Sequence, residues 1–187
     1  MRRLPPLDPT ALNGGQKALY DKIMSGPRGR VGGPMEAMVL CPAAGDPLQE
    51  LGARLRFGGV LSGKLRELAI LVAARFWSAQ FEWHAHARIA REEGLDEAVI
   101  AAIAEGAPPV LASPEETIVY TFCRELHETH AVGDETYAKA IELLGQEAVI
   151  ELTMLAGYYT AVSMILNTFE VPPPDGVTPP LAPLSRS

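Results

Sequence analysis

The sequence predicts an all-α protein of six to eight helices with an N-terminal extension and a Pro-rich C-terminal arm. Two observations carry this. Apolar residues recur at helical spacing along most of the 187 residues, and the periodic segments open at Ser, Asp or Pro and close at Gly. The boundaries expected are an extension over 1–45, a helical domain over 46–170 and a tail over 171–187. A chain of this length, with 48% hydrophobic residues and only 6% aromatic ones, is long enough for one compact domain with a sizeable core.

Residues 1–9 are Pro-rich and extended by composition, and Thr10–Met24 has helical spacing through Leu12, Leu19 and Ile23. Gly26–Gly33 reads as a loop, and Met35–Cys41, bounded by prolines, as a loop with one helical turn. Asp46 before Pro47 predicts a helix start, continued by Leu48, Leu51 and Leu55 to Gly58. Ser62 opens the next helix, whose Leu65, Leu68, Leu71, Val72 and Phe76 give a wide buried face that makes it central. The pattern changes phase near Trp77, as a kink or tight helix-to-helix junction would, and resumes from Phe81 to Ile89 before Gly94. Asp96 caps a short helix ending at Gly106. Ser113-Pro114-Glu115-Glu116 starts another that runs toward Gly133. Asp134–Leu144 and the long apolar Gln146–Phe169 complete the helices. At an offset of 84, RELAILVAARFWSA echoes IELTMLAGYYTAVS, so that Glu67 falls against Glu151; chance helical patterning accounts for this as well as a repeat does.

Composition excludes several function classes. A formal charge of -7 without a cluster of Lys and Arg gives no phosphate-binding surface, so nucleic acid is not an expected partner. The N-terminus lacks the apolar run of a signal peptide, and no uncharged apolar stretch of spanning length is read, so no membrane is expected and the location expected is cytoplasmic. Cys41 and Cys123 are far apart and form no C-x-x-C pair, which is the usage of free thiols in a reducing compartment.

The chemistry-bearing stretch is Arg66–Glu93, which places Glu67, Glu82, His84 and His86 in or beside an otherwise apolar helical pattern. Carboxylates and imidazoles are costly to bury without partners, so such a stretch points to a site. Glu82 and His86, four apart, share a helix face, whereas His84 points elsewhere. A carboxylate against an imidazole fixes its tautomer and raises its basicity, and Glu67 on the preceding helix completes a relay if the two helices fold together. The bland reading is a structural ion pair, with Glu67 merely favoured near its helix start. Trp77, Trp83, Tyr158 and Tyr159 read first as core or subunit contacts. His127 and His130 stand three apart in CRELHETH and miss the H-E-x-x-H spacing, and a metal held by Glu82 and His86 is the lesser reading, so no metal is expected.

On Leu61–Gly106 the chain resembles the carboxymuconolactone decarboxylase family, which shares its fold with AhpD-like proteins. In the peroxidase branch the pattern is Glu, eleven residues, C-x-x-C, three residues and His. Laid on this sequence, Glu67 and His86 match, but the two cysteine positions hold Ala79 and Glu82. A thiol peroxidase needs a nucleophilic and a resolving thiol, so that chemistry is disfavoured. In the decarboxylase branch the second motif looks like Glu-x-x-x-His, which Glu82 and His86 match within FEWHAH. The resemblance implies an AhpD-like helical domain and a cofactor-independent carboxy-lyase of aromatic catabolism, or a related proton-transfer enzyme, acting on a small carboxylated lactone or ring acid. It implies His86 as proton donor or acceptor, Glu82 orienting it and Glu67 supporting the pair; His84, Arg75 and Trp83, read from the same stretch and not from the family, are the expected substrate contacts. It also implies a homo-oligomer, whether dimer, trimer or hexamer. The alternatives are an atypical peroxidase-type oxidoreductase and a non-catalytic oligomeric binding protein.

Overall fold

The computed structural model describes residues 2–182. It contains, among the described residues, nine α-helices and no strand: α1 Gly14–Ser25, α2 Pro34–Leu40, α3 Pro42–Phe57, α4 Gly63–Phe76, α5 Gln80–Glu92, α6 Glu97–Glu105, α7 Pro114–Thr129, α8 Asp134–Leu144 and α9 Gln146–Thr168. The helix beyond the expected number is α2, where Pro34 at the first helical position follows Gly33 and buries Met35, Met38 and Val39.

The central position of α4 follows from its sequence. Eight consecutive residues, Glu67 through Ala74, are buried, and α5, α7 and α9 pack around the helix. Ser62 caps it, accepting a hydrogen bond from the Leu65 N–H at 3.4 Å. Its C-terminus is a Schellman turn: Ser78 takes a left-handed φ of 47°, its N–H donates to Arg75 O, and the Ala79 N–H donates to Ala74 O. This turn is the phase change seen near Trp77. It lets α5 double back along α4, so that residues on either side of the turn meet face to face.

Three expected boundaries shift. The first helix begins at Gly14 with an Asn13–Gln16 capping box, not at Thr10, whose hydroxyl and N–H instead bond Asp8. The third begins at Pro42, so Pro47 lies inside it, and the Asp46 carboxylate binds Lys22 and Gln49 instead of capping. α7 stops at Thr129, before Gly133, because His130 itself adopts the left-handed conformation, with φ 65°. Glu151, the counterpart of Glu67 in the sequence echo, serves a different purpose, since its carboxylate accepts from the Val60 and Leu61 N–H groups at 2.8 and 2.9 Å.

By length and composition α9 is apolar enough to cross a membrane, although Glu147 and Glu151 keep it from being an uncharged stretch. Here it lies in the core through Leu152, Leu155, Tyr159, Val162 and Leu166, while Ile150, Met154 and Met164 stay exposed. Beyond α9 the C-terminal arm is irregular as far as residue 182, and the remainder of the expected tail, 183–187, lies outside the described residues. The arm buries Leu181, whose N–H and C=O are both bonded by the Gln80 amide at the start of α5.

Candidate functional site

The α4–α5 hairpin brings Glu67 and His86 together, 19 residues apart in sequence, and the helical i,i+4 spacing adds Glu82. His86 Nδ1 is 2.6 Å from Glu67 Oε2, and His86 Nε2 is 2.9 Å from Glu82 Oε1. All three residues are buried, Glu67 completely. Arg66 Nε lies 3.5 Å from the other Glu67 oxygen, and the Tyr159 ring meets the His86 ring edge-on, with centroids 5.1 Å apart.

Burial alone pushes the His86 imidazole down, but the Glu82 charge and the Glu67 hydrogen bond outweigh it and hold the group up at about 9. His86 is therefore an imidazolium at neutral pH, with both N–H groups donated to carboxylates. Burial, joined by the Glu82 charge, also holds the Tyr159 hydroxyl well above its ordinary range.

Glu82 and His86 open on a cleft of about 620 Å³. Its walls come from the loop before α2, from the end of α3, from α5 and from α9. Arg28, Arg30 and Arg56 line it, together with Phe57, Tyr158 and Tyr159. The Arg28 and Arg56 guanidiniums lie over the Phe57 ring at 6.0 and 5.2 Å, and Arg28 reaches the Tyr158 hydroxyl at 3.5 Å. Glu36, also in the wall, pairs with Arg2. With Glu36 neutralised by Arg2 and the relay carrying two carboxylates and one imidazolium, three guanidiniums leave the cleft a positive host for an anion.

Not every candidate residue reaches this cleft. His84 is only half-buried and is not in its wall, Trp83 is buried in the core, and Arg75 lines a different cavity behind α4. The sequence reading missed Arg28, Arg30 and Arg56 as cleft residues and took Tyr158 and Tyr159 first as core or subunit contacts. Cys41 is exposed, Cys123 is buried with its thiol pushed up to about 12, and neither lines the cleft. No group of three His, Cys, Asp or Glu residues among the described residues is arranged to hold a metal ion.

Residues 42–122 match the model of the carboxymuconolactone decarboxylase family. No curated protein matches the chain. Among solved structures, an uncharacterized peroxidase-related protein from Ralstonia eutropha JMP134, described as an alkylhydroperoxidase AhpD core, superposes with a TM-score of 0.75 at 15% identity, covering 93% of each chain. A peroxidase-related protein from Silicibacter sp. TM1040 gives 0.71 at 13% identity over 93% of this chain and 92% of its own. A protein of unknown function from Agrobacterium tumefaciens, with a proposed antioxidant defence role as AhpD, gives 0.64 at 16% identity over 71% of this chain and 92% of its own. At these identities the likeness establishes the AhpD-like fold.

Proposed function

From the match of residues 42–122 to the model of the carboxymuconolactone decarboxylase family, we propose that the protein is a cofactor-independent proton-transfer enzyme, a carboxy-lyase acting on a small carboxylated lactone or ring acid. The observation that carries this is a buried Glu67–His86–Glu82 relay opening on a cleft that holds three guanidiniums.

The guanidiniums at Arg28 and Arg56 hold the anionic substrate. When carbon dioxide leaves, the electron pair of the broken C–C bond stays on the former α-carbon and delocalises into the ring carbonyl, which the Arg28 guanidinium stabilises while Arg56 serves binding alone. One proton must then reach that carbon. Both His86 nitrogens are occupied by carboxylates, so the proton leaves the Nε2 side through Glu82, which lines the cleft and becomes the immediate donor. Glu67 keeps the Nδ1 proton in place, and water reprotonates the imidazole. His86 thus acts through Glu82, a refinement of the direct donation expected from the resemblance.

A thiol peroxidase mechanism finds no support, since no cysteine lines the cleft and Ala79 and Glu82 stand in the cysteine positions of the peroxidase branch. Assembly into a homo-oligomer is part of the same proposal, supported by the exposed Ile150, Met154 and Met164 on one helix. Scattering-coupled gel filtration at micromolar protein tests it, and a monomer refutes it.

The test of the reaction is a panel of carboxylated lactones and ring acids in deuterium oxide. Carbon dioxide release with one deuteron placed on the former α-carbon is expected, and its loss in Glu82→Gln and His86→Ala with the helical fold retained. Full turnover in either variant overturns the relay.

A further inference from the structure

A second cavity, of about 110 Å³, lies on the far side of α4 and shares no lining residue with the cleft. Val72, Phe76, Ile103 and Tyr120 supply its apolar wall, and Arg75, Arg124, His127 and Glu128 its polar one. Two buried nitrogens in this wall lack a hydrogen-bond partner: Nε of Arg75 and Nε2 of His127. His127 is only 9% exposed, and its ring stacks on Phe76 with centroids 5.1 Å apart. Unpartnered buried polar groups are rare in folded proteins, and two of them on one small cavity point to an occupant that accepts hydrogen bonds.

The charges say what kind. Arg124 and Glu128 satisfy each other through two contacts of 2.9 Å. Arg75 has no carboxylate among the described residues; one terminal nitrogen donates to the Ser78 hydroxyl at 2.8 Å, which leaves the rest of its fork unclaimed. The local balance is one uncompensated positive charge, which a monoanion neutralises and a dianion overshoots beside Glu128. The planar guanidinium matches a carboxylate, and the apolar wall accepts a short hydrocarbon tail.

We propose that this cavity is a binding site for a short-chain monocarboxylate, held by the Arg75 guanidinium and the His127 Nε2–H, independent of the Glu67–His86–Glu82 cleft. The site offers a small acid a place to act on the protein without entering the cleft.

Calorimetric titration of the full chain with sodium butyrate, against butyramide and against sodium chloride at matched ionic strength, tests it. Saturable butyrate binding is expected, with no butyramide binding. Arg75→Met weakens butyrate binding by about tenfold or more, the loss of one charge-assisted contact. His127→Phe, which keeps the stacking on Phe76, also weakens it, and guards against a folding defect in the Arg75 variant. On imidazole NMR the resonances of His127, not those of His86, move with butyrate. Equal binding of butyramide, absence of saturable binding, an unaffected Arg75→Met, or a response confined to His86 each overturns the proposal.

Discussion

Glu67 on α4 and His86 on α5 are joined by a 2.6 Å contact that also ties the two helices of the hairpin together. Neither group is stable at this depth alone: an unpaired buried carboxylate or imidazolium costs roughly several kcal/mol even after the surroundings relax. Glu67→Gln keeps the shape and a hydrogen-bond acceptor but removes the charge. The His86 titration midpoint is then expected to fall from about 9 by on the order of one pH unit, read by imidazole NMR. An unmoved midpoint shows that Glu67 does not govern the imidazole.

The same group gives the stability a pH dependence whose sign is fixed. His86 is raised from 6.5 to about 9, so between these values the folded chain keeps a proton that the unfolded chain has lost. The stabilisation is complete below the lower value and declines as pH rises through the upper one, with a slope of at most about 1.4 kcal/mol per pH unit. Denaturant unfolding across this window is expected to show the decline in the parent protein and to lose it in His86→Gln. A flat profile in the parent, or an unchanged slope in the variant, contradicts the assignment.

The relay was legible in the sequence because its signal is local: Glu82 and His86 are four apart on one helix, and Glu67 precedes them across a turn marked by a change of phase. The cleft was not legible, because Arg28, Arg56 and Tyr158 come from three distant segments, and the loop carrying Arg28 has no periodicity to orient it. Arg75 shows the same limit from the other side. It is eight residues after Glu67, roughly 80° further round the helix at about 100° per residue, and so it faces the second cavity. His84 is about 200° from Glu82 by the same count. Helix starts were legible at the side-chain caps Ser62, Asp96 and Ser113, each of which accepts an N–H in the following turn, whereas the Asn13 capping box was missed. They were not at Cys41, which caps α3 without a side-chain bond.

Arg56 separates binding from chemistry. It lines the cleft without contacting the relay, so Arg56→Gln is expected to raise KM for a carboxylated substrate about tenfold while changing kcat little, the pattern of a contact equal in ground and transition states. Steady-state kinetics decide this. A fall in kcat at unchanged KM would place Arg56 on the developing charge instead.

Gly45 tests the wall of the cleft without touching its chemistry. The residue is buried on α3 against the backbone of α2, and an added Cβ would overlap the Met38 carbonyl oxygen, carbon and Cα. A backbone cannot rotate aside as a side chain tip can, so the helices must part, and the second of them carries Pro34, Met35 and Glu36 into the cleft wall. Gly45→Ala is expected to cost about 1–3 kcal/mol by overpacking. Gly157 on α9 is the internal control: it is exposed, nothing lies within 4 Å of an added Cβ, and alanine there removes backbone entropy from the unfolded chain. Gly157→Ala is expected to stabilise by roughly 0.5–1 kcal/mol. Chemical denaturation of the two variants side by side checks both signs, and a Gly45→Ala protein as stable as its parent shows that α2 and α3 do not meet at this distance.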